Sequence, residues 1–160
     1  MGKCMDVILN RRTIRRFKQE GIPREDLVEL VNAGRLAATA GNRQPWEFMI
    51  VDDPSLVKDL FASLGWLAGA PEEAQQPTAI IAVLLSNPKD KWAAYADGGA
   101  AIQNMQLAAW EKGIGGCWIG SVAEDADDDV SAKRDDAGKL HVHKRKLDVI
   151  CHVNRYGGKP

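Results

Sequence analysis

Apolar positions along the chain fall into blocks whose spacing switches between helical and extended periods. Lys3 to Asn10 predicts a short helix with Met5, Ile8 and Leu9 directed towards the core. Pro23 to Ala38 predicts the clearest helix. Pro23 suits a first turn, Glu25 and Asp26 complement the helix dipole, and Leu27, Val31, Gly34 and Ala38 form a stripe flanked by Leu30 and Ala37. Glu47 to Val51 predicts a strand. Asp53-Pro54 then reads as a cap and first helical position, opening a helix through Leu56, Val57, Leu60, Phe61 and Leu64 that Gly65 ends. Thr78 to Leu85, TAIIAVLL, is apolar without alternation, which predicts a strand buried on both faces at the centre of a sheet. Ala93 to Lys112 predicts a second long helix, with Ile102, Met105 and Ala109 on one face and Gly113 as its stop. GIGGCWIGS, Gly113 to Ser121, leads into a short strand at Cys117, Trp118 and Ile119. Past Ala123 the pattern fades. Glu124 to Asp129 is an acidic, solvated run, VSAKRDDAGK has weak helical character, and Leu140 to His143 and Leu147 to Val153 each read as strands. Trp66 to Gln76 carries no readable period.

Three stretches are not explained by periodicity. The first is RRTIRRF, Arg11 to Phe17. Read as a helix, it stacks Arg11 on Arg15 and Arg12 on Arg16. Read as extended chain, it points Arg11, Thr13 and Arg15 one way and Ile14 into the core. Guanidinium, hydroxyl and guanidinium on one side suit a phosphate, whereas a solvated charge run is the plainer alternative. The second is AATAGNRQPWEF, Ala37 to Phe48, where a helix end, a stiff polar loop and a strand start are compressed together. Gly41 permits unusual backbone angles, and Pro45 pushes Gln44 towards an extended shape. Such a loop on a rigid frame can hold a planar polar ligand, or it can be a plain helix-to-strand turn. The third is the run of small residues Gly98 to Ala101, which admits a flat ligand or a closely packed second helix.

Composition narrows the possibilities. A chain of 160 residues fits one domain, and 45% apolar with 27% charged residues is ordinary for a globular protein. A net charge of -1 argues against nucleic acid or an anionic membrane as the main partner. No apolar run approaches a membrane span, and MGKCMDVILN has no secretory core. The start Met-Gly is followed by Asp6 where a myristoylation pattern needs Ser or Thr. Cys4, Cys117 and Cys151 are odd in number and far apart, as expected of reduced thiols in the cytoplasm.

No nucleophile–base pair stands out, and GIGGCWIGS matches neither a P-loop nor a dinucleotide fingerprint. His141, His143 and Cys151 allow a metal site, but without the spacing of a known zinc pattern. What remains is guanidinium groups, side-chain amides, glycines and tryptophans. A protein that holds a cofactor and leaves the chemistry to it carries this inventory.

RRTIRRF, then a helix running into NRQPWEF, then DGGAAIQNMQLAAWEKGIGGCWIG together resemble, in order and spacing, the nitroreductase family of flavin enzymes. The resemblance covers roughly residues 5 to 122. It implies an α+β fold, a mixed and mostly antiparallel sheet flanked by helices, in a homodimer with FMN held non-covalently at the subunit interface. By motif, Arg11, Thr13 and Arg15 hold the phosphate and ribityl end, with Arg12 close by. Asn42 and Gln44 reach the flavin of the partner subunit, where Ala38 and Thr39 line the site. Backbone at Cys117, Trp118, Ile119 and Gly120 lies along the flavin ring. The implied activity is hydride transfer from NADH or NADPH through flavin N5 to a nitroaromatic, quinone or similar small acceptor. No catalytic side chain is implied, and no metal. The expected unit is a single domain over 1–160 whose part 123–160 diverges. There the family closes with a Gly-Tyr-Pro-like turn followed by basic residues, whereas this chain has Leu147 to Val153 and then NRYGGKP. Lys144, Arg145 and Arg155 are candidates for the basic contact. That departure keeps open a protein that binds flavin as a store or redox sensor without turnover.

Overall fold

The computed structural model of the chain describes residues 2–62, 64, 69, 71–85, 91–120, 130–134, 140–144 and 147–155. Four helices are α1 (Lys3–Asn10), α2 (Arg24–Arg35), α3 (Pro54–Ala62) and α4 (Lys91–Glu111). Six strands are β1 (Trp46–Val51), β2 (Ala79–Leu85), β3 (Ile114–Ile119), β4 (Val130–Arg134), β5 (Leu140–Lys144) and β6 (Leu147–Arg155). Strands β1, β2, β6 and β3 form one sheet in that order, with every pairing antiparallel, and β4 pairs with β5 in a second sheet. Among the described residues the one parallel pairing is an isolated bridge from Thr13 to Gly116.

Strand β2 carries the layering. Successive side chains alternate between faces, so Ile81, Val83 and Leu85 join Leu27, Leu30, Ile102 and Met105 beneath α2 and α4. Ile80 and Ala82 face the other way and join Val57, Leu60 and Phe61 of α3. The apolar run TAIIAVLL is therefore buried on both faces, with β1 on one side and β6 on the other. Each such fully buried side chain contributes roughly 1.5–3 kcal/mol.

Helix ends follow their local chemistry. Asp53 Oδ1 accepts from the N–H groups of Ser55 and Leu56 at 3.0 and 3.1 Å, which caps α3. Gly113, at φ 73°, turns the chain out of α4 into β3. Helix α2 runs antiparallel to α4, and polar contacts recur in step along the pair. Lys112 binds Asp26 and Glu29 at one end, and further along Asn104 Nδ2 donates to the Ala33 carbonyl at 3.2 Å.

Three sequence expectations are corrected. Met5, Ile8 and Leu9 do not enter the core: α1 buries none of its residues, and these three remain about half exposed. Helix α2 ends at Arg35, and tighter closing bonds from the Leu36 and Ala37 N–H groups leave Ala38 exposed beyond it. Val130 to Arg134 forms a strand rather than weak helix, because pairing with β5 overrides its local preference. Gly65, Trp66, the run Glu124 to Asp129, Arg145 and the closing YGGKP lie outside the described residues.

Candidate functional site

The segment Arg11 to Phe17 is extended. Helix α1 stops at Asn10, and the Ile14 N–H donates to the Gly116 carbonyl at 3.0 Å. This docks the segment on the outer edge of β3. A Cβ on Gly115 would lie 2.7 Å from Ile14 Cγ1, so glycine is what admits the close approach. The close neighbour of Gly115 is thus the chain's own Ile14. With Ile14 packed against the α3-side core, alternation places Arg11, Thr13 and Arg15 together on the other side. Neither Arg11 nor Arg15 has a side-chain hydrogen-bond or ion-pair partner among the described residues. Arg12 is different. Its guanidinium turns back and donates to the carbonyls of Leu9 at 2.8 Å and Arg11 at 3.1 Å, closing the C-terminus of α1.

The loop after α2 is strained and tied down. Ala40–Asn42 forms a 3-10 turn. Gly41, Asn42 and Gln44 have φ of 60°, 54° and 48°, so two side-chain-bearing residues adopt the left-handed region beside the glycine. That contradicts the extended shape expected of Gln44 before Pro45. Such conformations persist where surrounding bonds impose them. Here the Gln44 N–H donates to Thr39 Oγ1 at 3.2 Å, and Gln44 Nε2 donates to Asn42 Oδ1 at 3.0 Å. The Ala40 N–H donates to Asp97 Oδ1 of α4 at 3.0 Å. Ala38, Asn42 and Gln44 are exposed and Thr39 is half-buried.

Strand β3 is an edge strand. The Gly116 carbonyl faces outward to Ile14, so by alternation the main-chain N–H and C=O of Trp118 also face away from β6. Cys117 and Ile119 are buried, whereas Trp118 is 45% exposed and Gly120 is exposed. Burial pushes the Cys117 thiol up, and the Arg15 guanidinium opposes this only in part. Cys117 is therefore a packed neutral thiol rather than a nucleophile. Trp118 leans on α4, where a Cβ on Gly99 would meet Cη2 at 3.1 Å.

The three stretches thus form one connected frame. The arginine segment is bonded to β3 at Gly116, β3 packs on α4 through Trp118 and Gly99, and α4 holds the loop through Asp97 and Ala40. Asp97 was not anticipated. Its signal was a lone acid in an otherwise small and apolar stretch of a buried helix. Two guanidinium groups with no partner among the described residues, flanking a hydroxyl beside the outward-facing main chain of Trp118, fit FMN as a flat, phosphate-bearing cofactor. His141 and His143 lie on β5 and Cys151 on β6, in different sheets.

The chain resembles known proteins in sequence and in fold. The model of the Nitroreductase family matches residues 8–133. A protein of Archaeoglobus fulgidus, provisionally named NADH dehydrogenase/NAD(P)H nitroreductase, is 34% identical over 121 residues, spanning 75% of this chain and 68% of its own. An FMN reductase (NADPH) of Bacillus subtilis is 27% identical over 143 residues, 79% of this chain and 57% of its own. The chain thus spans between about half and two thirds of these curated relatives. The crystal structure of a nitroreductase with bound FMN from Bacteroides fragilis superposes with a TM-score of 0.74 at 22% identity, covering 98% of this chain and 90% of that one.

Proposed function

The chain belongs to the nitroreductase family, and from that premise we propose that it is an FMN-dependent NAD(P)H oxidoreductase acting on a nitroaromatic, quinone or similar small acceptor. The observation that carries this reading is the docking of Arg11–Phe17 on the edge of β3, which leaves Arg11 and Arg15, on either side of Thr13, with no partner among the described residues. Bound FMN supplies hydride acceptance from NADH or NADPH at N5 and electron delivery to the acceptor. The chain's own residues bind and orient. Arg11, Thr13 and Arg15 grip the phosphate, while Arg12 fixes the junction with α1. Main chain from Cys117 to Gly120 lies along the ring, with Trp118 bracing the strand against α4. Asn42 and Gln44, with Ala38 and Thr39 beside them, face the flavin of a partner subunit in a homodimer. No side chain is required as acid or base, in keeping with a neutral Cys117.

Within that homodimer, residues 1–160 of each subunit are read as a single domain. No helix among the described residues is long and apolar enough to cross a membrane, and the cytoplasm is the compartment that suits its thiols. A second reading, flavin binding without efficient turnover, draws on the family match ending at residue 133. The visible spectrum of the purified protein separates them. Flavin bands that bleach with NADH or NADPH and return on adding a nitroaromatic or a quinone are the expected result. Bands that fail to bleach favour the store or sensor, and a protein that takes up no added FMN is neither.

A further inference from the structure

Asp97 is 7% exposed in the first half of α4. Burying a carboxylate is costly unless hydrogen bonds compensate. Among the described residues no lysine or arginine pairs with Asp97, and its hydrogen bond is the one accepted from the Ala40 N–H at 3.0 Å. That bond is the third rung of a ladder. Asp26 meets Lys112, Ala33 meets Asn104, and Ala40 meets Asp97, so each step of seven residues along α2 and its loop is matched by seven or eight back along α4. The first two rungs hold a helix that hydrophobic packing already fixes. The third lies beyond the end of α2, where Gly41, Asn42 and Gln44 take up left-handed angles and where packing is thin. Two residues further on, Gly99 points to nearly the opposite side of α4 and seats Trp118. One turn of helix therefore fixes the loop and the end of β3 relative to each other.

We propose that Asp97 is a positioning residue of the flavin site: by holding Ala40 it sets where the Asn42 and Gln44 amides stand. The inference rests on the FMN reading above. An acceptor oxygen fixed on a helix suits the task, because the bond it accepts must oppose local backbone strain.

Equilibrium titration of FMN into apoprotein, followed by flavin fluorescence, tests it. Wild type is measured first; if it takes up no FMN, the functional reading falls, and this inference with it. Given wild-type binding, Asp97→Ala should weaken FMN affinity by about tenfold or more. Asp97→Asn keeps an acceptor oxygen at the same place and should stay within about threefold of wild type. A merely structural role does not predict that rescue. Should Asp97→Ala fail to fold, Ala40→Pro removes the donor while leaving Asp97 in place, and the extended Thr39 (φ −131°, ψ 151°) tolerates a following proline. It should weaken FMN by a similar factor. Unchanged affinity in a folded Asp97→Ala or Ala40→Pro protein overturns the proposal, as does an Asp97→Asn loss equal to that of Asp97→Ala.

Discussion

Four arginines stand within six residues, yet they have unlike surroundings. Arg12 is occupied by the carbonyls at the end of α1, whereas Arg11 and Arg15 have no partner among the described residues. Charge-assisted hydrogen bonds to phosphate contribute roughly 1.5–3 kcal/mol each. Arg11→Ala and Arg15→Ala should each weaken FMN binding by about that much, with melting of the apoprotein little changed. Arg12→Ala should do the reverse, lowering the apoprotein melting temperature while FMN affinity shifts less. Equal losses of flavin in all three variants would show that the phosphate is not held by the Arg11–Arg15 side. The division was only half legible in the sequence. Ile14 between charged neighbours pointed to an extended segment, but nothing local distinguishes an arginine that caps its own helix from one that waits for a ligand. Asp97 was hidden for a related reason. Its partner is a main-chain N–H 57 residues away, which a lone acid in a small and apolar helix does not by itself identify.

Elements with strong periods were legible nearly to their ends. The helix over Pro23 to Ala38, the central apolar strand, and the long helix stopped by Gly113 all occur, because their patterns and end signals agree. Sheet order was not legible. Strand β6 comes last in the chain yet sits between β2 and β3, and only pairing over long separations sets that place. The contact between α2 and α4 shows how closely one element constrains another. A Cβ on Gly34 would lie 3.0 Å from Met105 Cγ and 3.2 Å from Phe48 Cε1. Gly34→Ala normally favours a helix by about 1 kcal/mol, but here the methyl must displace a fully buried methionine and a ring. Overpacking of this kind costs roughly 1–3 kcal/mol, so the variant should be less stable than wild type in urea unfolding. Met105 is flexible and can yield in part, which places the expected loss towards the lower end. Greater stability in Gly34→Ala would mean that Met105 and Phe48 repack around the methyl without cost.

For the whole molecule, the apolar residues of α1 pose the clearest question. Met5, Ile8 and Leu9 share a face and are 47%, 47% and 50% exposed, against a core that has no place for them. Trp92 at the start of α4 is more exposed still. A sequence pattern cannot tell a face that packs on its own chain from one that packs on a second copy, which is why these residues read as core. Contiguous apolar surface of this kind marks an interaction site more often than a free surface. The prediction is that the proposed homodimer covers α1, and that the same association brings Asn42 and Gln44 to the partner's flavin. Folding, assembly and cofactor binding are then coupled, since each site is incomplete in one chain. Leu9→Asp places a charge on that face without touching Arg11, Thr13 or Arg15. It should yield a folded monomer in sedimentation velocity, with helix content retained, because the replaced side chain is half exposed within its own subunit. FMN affinity should fall at least about tenfold, or ~1.4 kcal/mol, and recover partly at high protein concentration as mass action restores the dimer. A monomeric Leu9→Asp that binds FMN as tightly as wild type would show that each chain completes its own site, and would return the α1 face to some other partner.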